Sequence, residues 1–493
     1  MSQFMRFGLA QYILLFMCQR VFSQATLSFS TAIEVNALQS PHAQSVRLRY
    51  ENSVLTYENY RKGFWPTLQL SVSPLSFNRS MRLLQDPLTG EYRNVEDFAN
   101  TSAASLTISQ KVGFTGGILS VTTGLSFLHE FSGSRDSYSA TPFSISYSQQ
   151  LLGGYRGYVL ERNVSLLQYE AATLAYYQAL AREQREVAGL YIEACLAQTK
   201  REQASNQVAS GDTLLHYARL RRESGYITDY DLNQIRIGQL QARNTLEDSD
   251  AEARLALHAL KSRLGLKEDV SVEMPDGGAL PPALNEEEAR KYAQMNNPDY
   301  KSIELRRAQA RRDLHARKMA TRFNATLSLN YGLNQYAHSF HAAYEHPNQR
   351  QSAGVTLSIP AFDWGINRNR RRMAENDYER EMISIDESEQ EADEEIHNRT
   401  VSYNHAAATY AICQEQLRLA QEQSRLLSGR FRQGSASVYE LISANRSREE
   451  ALLRYLNVVR TLYSEYYHIR QLTMFDFLQR QTLPETYSYI SER

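Results

Sequence analysis

The feature that most constrains this chain is that its plan is written twice. Ser40-Pro41 opens a charged, Tyr-rich helical stretch that ends at Lys62-Gly63-Phe64-Trp65-Pro66 and feeds the alternating segment Thr67-Leu68-Gln69-Leu70-Ser71-Val72. Asn297-Pro298 opens a basic helical stretch that ends at Lys318-Met319-Ala320-Thr321-Arg322-Phe323 and feeds Ala325-Thr326-Leu327-Ser328-Leu329-Asn330. Val46 and Leu48 correspond to Ile303 and Leu305. A second echo lies downstream. Arg221-Arg222-Glu223-Ser224-Gly225 leads into Tyr226-Ile227-Thr228-Asp229-Tyr230-Asp231-Leu232, and Arg430-Phe431-Arg432-Gln433-Gly434 leads into Ser435-Ala436-Ser437-Val438-Tyr439-Glu440-Leu441. Both read Arg, three residues, Gly, five residues, acid, Leu. Self-similarity of this kind marks one structural unit used twice.

Long helical patterns flank each of these downstream echoes. Glycine fits the position just past a helix, and Thr228, Asp229, Ser435 and Ser437 fit the start of the next one. Gly225 and Gly434 are therefore read as tips of helical hairpins. The stretch at about 156–223 contains no Pro and few Gly, so at 1.5 Å per residue its helix reaches roughly 100 Å. The stretch at about 366–432 is similar, and residues 386–395 contain no large apolar side chain. A globular helix needs a wider apolar stripe. Helices this long and polar suit a coiled-coil wall that is wet on both faces.

Between the two echoes each copy alternates apolar with small polar residues. The segments are Leu68/Leu70/Val72, Leu106/Ile108, Leu119/Val121/Leu125/Phe127 and Phe143/Ile145/Tyr147, then Leu327/Leu329/Tyr331/Leu333 and Val355/Leu357/Ile359. A sandwich with one solvated face fits this pattern. So does an outer-membrane barrel with lipid outside and water inside. Long loops are expected at about 78–101, 132–141 and 335–351, on the side opposite a short turn at Gly113-Phe114-Thr115-Gly116-Gly117, which is the barrel's asymmetry. So few strands cannot close a channel alone. Their open edges are prohibitive in lipid, so other copies of the chain must complete the ring.

Charge and length exclude several classes. The 493 residues carry 54 Lys+Arg against 55 Asp+Glu, so the basic excess expected of a nucleic-acid binder is missing. Mean hydropathy is -0.50, too polar for a bundle of transmembrane helices. Tyr (31) outnumbers Phe (18) and Trp (2), which suits half-wet surfaces. Arg6, the apolar run Phe7–Met17 and Val21-Phe22-Ser23 read as an export signal over residues 1–23 that also removes Cys18. Cys195 and Cys413 then allow either one disulfide or two small apolar positions in helices. No phosphate loop, nucleophile elbow or His-Glu-x-x-His occurs, so the chain does not read as an enzyme, and no cofactor is expected.

Taken together, these residues resemble the TolC family of outer-membrane efflux channels. Leu357-Ser358-Ile359-Pro360-Ala361-Phe362-Asp363-Trp364-Gly365 is close to that family's strand-to-helix signature, and Gln149-Gln150-Leu151-Leu152-Gly153-Gly154 is its first-copy counterpart. The tips Gly225–Leu232 and Gly434–Leu441 look like the family's hairpin tips. The likeness covers about residues 30–475. It implies a mixed α and β fold: a homotrimeric outer-membrane β-barrel continued by a long periplasmic α-helical barrel. It further implies passive conduction in a tripartite efflux or type I secretion system, with a periplasmic adaptor and an inner-membrane transporter as partners. The family's barrel usually takes four strands per chain, so a hairpin at about 102–131 is left over. The expected organisation is a first repeat at 24–265 with strands about 66–151, and a linker at 266–294. A second repeat follows at 295–473 with strands about 324–360, then a tail at 474–493. Linker and tail would form an equatorial collar. The alternative is a non-conducting, periplasm-spanning coiled-coil scaffold or adhesin with a β anchor.

Candidate site residues follow from the tips. In the family, acids on the second hairpin's inner helix constrict the periplasmic end. Alignment on Gly434 and Leu441 brings Glu440 to one such position and Ser443 to another, so the second acid is missing here. Carboxylates crowded in a ring would raise each other's pKa. The bland alternative makes Glu440 a solvated first-turn residue. Asp231 and Asp229 are candidates for contacts that hold the tip closed, with Tyr230 and Tyr439 as partners. Gly225, Gly434, Arg221 and Arg430 are candidates for adaptor docking. Trp364 and Trp65 are read as membrane-interface residues, with Arg368, Arg370, Arg371 and Arg372 just below Trp364, near lipid headgroups or the lumen. His338, His341 and His346 share one loop, as either a metal site or unliganded loop histidines.

Overall fold

The structure is a computed structural model that describes residues 25–36, 40–85, 90–131, 133–267, 270–485 and 487. The export signal read at 1–23 lies outside the described residues. The chain forms two compact units. One holds residues 51–171 and 301–389, and the other holds residues 1–50, 172–300 and 390–493. No helix among the described residues is long and apolar enough to cross a membrane.

The first unit is built on one antiparallel sheet. Its strands are β2 (Thr67–Gln85), β3 (Tyr92–Val112), β4 (Gly117–Glu130), β5 (Arg135–Gln150), β7 (Asn324–Ala337) and β8 (Asn348–Ser358), in the order β2-β3-β4-β5-β7-β8. The alternation read from sequence carries across all six strands. Leu68, Ile108, Val121, Ile145 and Tyr331 lie in one cross-strand row that ends at Gln351. The adjacent row is Thr67, Ser109, Ser120, Ser146, Asn330 and Ser352. Opposed residues share a face, so one face is apolar and the other small and polar.

The long loops expected at 78–101 and 132–141 are mostly strand, while the one expected at 335–351 keeps a non-strand connection between β7 and β8. β2 and β3 pair from Ser76/Thr101 out to Gln85/Tyr92, because alternation resumes after Pro74. Proline cannot donate to the ladder, and the register shift between Ser73 and Ser76 absorbs it as a bulge. Ser102 Oγ then donates to the Pro74 carbonyl at 2.7 Å. Beyond the bulge, Phe77 lies edge-to-face with Phe98 at 5.3 Å, and Phe98 lies 4.6 Å from Phe131. Pro142 falls in the second shift, between Ala140 and Phe143, and β5 continues on its far side. The 338–347 connection contains the short helix α6 (Ala342–Glu345).

The leftover hairpin is part of this sheet: β3 and β4 stand between β2 and β5. Its turn is seated tightly. A Cβ at Gly113 would lie 2.8 Å from the Tyr158 ring, and one at Gly117 would lie 2.6 Å from the Tyr147 hydroxyl. Tyr147 donates to Thr115 Oγ1 at 2.7 Å, and Gln149 Nε2 donates to the Thr115 carbonyl at 3.0 Å.

Helices α1 (Pro41–Lys62), α2 (Gly154–Glu223), α5 (Pro298–Ala320) and α7 (Ile366–Arg432) contribute residues to both units. In the sheet unit they make little apolar core. Val164 and Leu167 pack on Ala308 and Leu305, and Tyr57 stacks on Tyr169 at 4.7 Å. The basic face of α5 is neutralised by carboxylates: Arg306–Glu381, Arg307–Glu389, Arg312–Glu161, Lys301–Glu170 and Lys318–Glu375. This is the salt-laced, wet helical wall expected from composition.

The second unit holds the larger core. It adds α3 (Asp229–Leu264), α4 (Glu286–Asn296) and α8 (Val438–Thr473). It also holds the parallel pair β1 (Ala25–Leu27) with β6 (Val270–Val272), and the small pair β9 (Phe475–Asp476) with β10 (Gln481–Thr482). Tyrosines dominate: Tyr191, Tyr403 and Tyr466 are fully buried, and each hydroxyl finds an acceptor on Leu27, Pro281 and Asp476 respectively. Linker and tail pack on the middle of the helices. Phe475 stacks on Tyr292 at 3.8 Å, and Leu483 and Tyr487 pack with Leu180 and Ala181. A buried ion pair, Arg470–Asp476 at 2.8 Å, joins this end to Gln184 of α2. Cys195 and Cys413 are separate buried free thiols. Burial pushes Cys195 up to about 12.

Candidate functional site

The two hairpin tips are built to one geometric pattern. Gly225 and Gly434 adopt φ of +75° and +86°, which ends each helix without strain. Tyr226 N–H donates to the Arg221 carbonyl at 2.8 Å and Gly225 N–H to that of Arg222 at 3.0 Å. Ser435 N–H and Gly434 N–H repeat this on the Arg430 and Phe431 carbonyls at 2.9 and 3.0 Å. Each following helix opens with a capping box. Thr228 Oγ1 accepts from Asp231 N–H at 3.1 Å, while the Asp231 carboxylate accepts from Thr228 N–H at 3.1 Å and its hydroxyl at 2.7 Å. Ser437 and Glu440 make the same exchange at 3.2, 2.8 and 2.9 Å. Two orphan N–H groups are thus satisfied at each helix start.

These contacts define the state of the acids. Glu440 is exposed and Asp231 half-buried, and both carboxylates are held below the usual carboxylate range by their caps, Asp231 through the Thr228 hydroxyl and Glu440 through the Ser437 amide. Asp229 is held low by Arg222, which grips it with two bonds at 2.6 and 2.8 Å. Tyr230 and Tyr439 are exposed at 71% and 81%. Within one chain, then, Glu440 is a capping residue whose second oxygen is free to face solvent.

The sequence-equivalent arginines differ. Arg221 crosses to the other hairpin: its Nη1 donates to the Phe431 carbonyl at 3.0 Å, and its guanidinium lies 4.8 Å above the Phe431 ring. Arg430 is exposed and reaches only its own tip, donating to the Ser435 carbonyl at 3.3 Å. Phe431 itself is fully buried in a cluster with Ala218, Ile235, Val438 and Leu441. This bridge was missed in sequence. Its signal was the one large aromatic, Phe431, standing where the first copy has Arg222.

Higher up, Asp212 accepts from Gln239 Nε2 at 2.6 Å and from Arg243 at 3.0 Å, and Ser424 donates to Asn445 Oδ1 at 2.7 Å. Gly211 lets this happen, since a Cβ there would lie 1.8 Å from Gln239 Oε1.

The remaining candidates lie in the sheet unit. Trp364 is 86% exposed, adopts φ of +55°, and sits edge-to-face with Phe362 at 4.7 Å. Asp363 between them accepts from the Gly365 and Asn367 N–H groups at 3.0 and 2.7 Å, starting α7. Trp65 is likewise exposed, and Arg368, Arg370, Arg371 and Arg372 are solvent-facing. Among the described residues no cluster of His, Cys, Asp and Glu could hold a metal ion; of the loop histidines, His338 meets the Asp136 carbonyl and His341 pairs with Glu345.

Residues 290–473 match the family model for outer membrane efflux proteins. No curated protein matches the chain. Several solved structures are similar to it. A membrane protein from Pseudomonas aeruginosa is 16% identical, with a TM-score of 0.67 over 94% of this chain and 93% of that one. The Campylobacter jejuni CmeC outer membrane channel is 12% identical, with a TM-score of 0.65 over 94% and 89%. The Neisseria gonorrhoeae MtrE outer membrane channel, in its open state, is 15% identical, with a TM-score of 0.58 over 90% and 88%. The second copy thus matches the outer membrane efflux protein model, and the chain as a whole shares the fold of these solved outer-membrane channels.

Proposed function

We propose that this chain is one protomer of a homotrimeric exit duct in the outer membrane, passing cargo from periplasm to exterior as part of a tripartite efflux or type I secretion assembly. The observation that carries the reading is the sheet. Six strands present an apolar face and a small polar face, and both edges, β2 and β8, are unpaired among the described residues. Lipid cannot satisfy the backbone groups of open edges. β2 runs away from the helices and β8 returns toward them, so β8 of one copy can pair antiparallel with β2 of the next. Ring closure by identical copies follows, with lipid against the apolar face and water inside.

The paired hairpin tips are the moving part of this reading. Capping boxes and the Arg221–Phe431 bridge hold them in one arrangement. An adaptor that binds the tips shifts the balance toward an open one. A structural neighbour described in its open state supports such a transition for the fold. Glu440 carboxylates from three copies form an acidic ring at the constriction, and exposed Arg430 is the better-placed adaptor contact, since Arg221 is engaged. Tyr230 and Tyr439, exposed beside the acids, are contacts to neighbouring copies. Trp364 and Trp65 sit at the periplasmic membrane interface, and linker and tail form the collar.

The test is single-channel conductance of the purified, detergent-extracted protein, with its mass determined alongside. A trimer whose small, cation-selective conductance rises in Glu440→Ala supports channel and ring together. A conducting trimer indifferent to that change keeps the channel and removes the ring. A monomer, or a trimer silent even in the Asp231→Ala/Glu440→Ala double variant, supports the non-conducting scaffold instead.

A further inference from the structure

We infer that the β3–β4 hairpin is a full part of the pore wall, so that each chain supplies six strands and three chains close an eighteen-stranded barrel. The inference rests on the trimeric-channel reading above and adds the width of its pore. The pattern usual for this fold, four strands per chain, would leave residues 92–130 outside the wall.

Three observations place the hairpin inside it. The first is pairing. β3 is laddered to β2 between Tyr92 and Ser109 and to β4 from Ala99 to Val112, and β4 is laddered to β5. Removing the hairpin to another surface would break both outer ladders and expose their N–H and C=O groups. The second is the face pattern. The apolar row enters the hairpin at Ile108 and leaves it at Val121, while the polar row passes through Ser109 and Ser120 without changing side. On the polar face the Thr107 and Thr122 hydroxyls meet across the strands at 3.1 Å. A hairpin packed on the outside of a wall would need its inward face apolar and its outward face matched to lipid, hence apolar on both. The third is the turn. Gly113 and Gly117 fit under Tyr158 and Tyr147 with no room for a methyl, and Thr115 is bonded to Tyr147 and Gln149. The turn is therefore seated at the same strand-to-helix junction as the rest of the sheet.

The physical consequence is a wider opening. At about 4.8 Å between strands and a tilt of about 40°, eighteen strands enclose a ring roughly 36 Å across, against roughly 24 Å for twelve. A ring of the larger size leaves an aqueous channel whose polar rows are mostly Ser, Thr, Asn and Gly, with Lys111 of the hairpin and Arg350 of β8 on the same face.

Electron microscopy of the unaltered, purified assembly in lipid nanodiscs tests this directly. A closed ring of eighteen strands near 36 Å is expected. A ring of twelve near 24 Å, with residues 92–130 outside it, overturns the inference and leaves the channel standing. Separate sheets that never close overturn both. Thiol labelling in outer membranes gives an independent reading. Ser120→Cys and Thr107→Cys should react with a water-soluble maleimide at least tenfold faster than Val121→Cys and Ile108→Cys. Equal rates at all four positions would place the hairpin outside the wall.

Discussion

Arg221 and Arg430 occupy equivalent positions in the two copies, yet only Arg221 bridges the hairpins, and this asymmetry sets a quantitative test. Arg221→Ala removes a charged N–H donor from the Phe431 carbonyl, a bond of the class worth about 1.5–3 kcal/mol. It also removes a half-exposed cation–π contact worth about 0.5–1 kcal/mol. The released side chain regains rotamer freedom and the carbonyl keeps its Gly434 N–H bond, so the net loss should fall near 2 kcal/mol. Because the bridge joins tip to tip and not the helix bodies, that loss should appear as local opening. Amide exchange over residues 214–232 and 431–445 should accelerate roughly 30-fold, a tenfold change being about 1.4 kcal/mol. Residues 245–260, further up α3, should be unchanged. Arg430→Ala should change exchange at the same amides by less than about threefold, since surface substitutions usually stay within about 0.5 kcal/mol. Arg221→Lys should lie between the two, because lysine keeps the charge but lacks the planar fork. Equal effects of Arg221→Ala and Arg430→Ala, or an effect of Arg221→Ala spread evenly along α2 and α3, would refute the reasoning.

Three further outcomes are expected. Gly211→Ala should lower the melting temperature despite a gain of about 1 kcal/mol in helix propensity, because its methyl meets Gln239 Oε1 at 1.8 Å; the net loss should be about 1–2 kcal/mol and should largely disappear in Gly211→Ala/Gln239→Ala. Arg470→Ala should destabilise by about 3–5 kcal/mol, since Asp476 would be left buried without its cation, and protease cleavage just after residue 473 should report release of the tail. The tip carboxylates give a pH dependence: their folded pKa values lie below the ordinary one, so their contribution is full above about pH 4 and is lost as pH falls through the lower folded values. Tip amides, corrected for intrinsic rates, should therefore be less protected at pH 3 than at pH 7, and the Asp231→Ala/Glu440→Ala variant should lose most of that difference.

Much of this architecture was legible because it is local. A Gly at a helix end, a Thr or Ser three residues later and an acid three beyond that specify a reversal and a capping box through contacts within about ten residues, and both tips form as read. Alternation of apolar and small polar side chains likewise specifies two faces. Strand extent is less legible: the sequence places loops at about 78–101 and 132–141, whereas Pro74 and Pro142 fall at register shifts, β2 and β3 pair out to Gln85/Tyr92, and β5 begins at Arg135. A bulge is possible only when the partner strand tolerates the extra residue, which a single strand's sequence does not state.

The amino-acid sequence by itself determined that the plan is duplicated, that the helices are long and wet, that the strands have one apolar face, and where the hairpins turn. Each of these follows from neighbouring residues and backbone chemistry. Only the tertiary structure decided that β3 and β4 enter the sheet between β2 and β5, because a face pattern says which way a side chain points but not which strand lies alongside. It also decided that Arg221 is a bridge and Arg430 is not. Identical tip motifs carry no record of what faces them, and the difference arises where the Phe431 carbonyl and ring of one hairpin come within reach of the other.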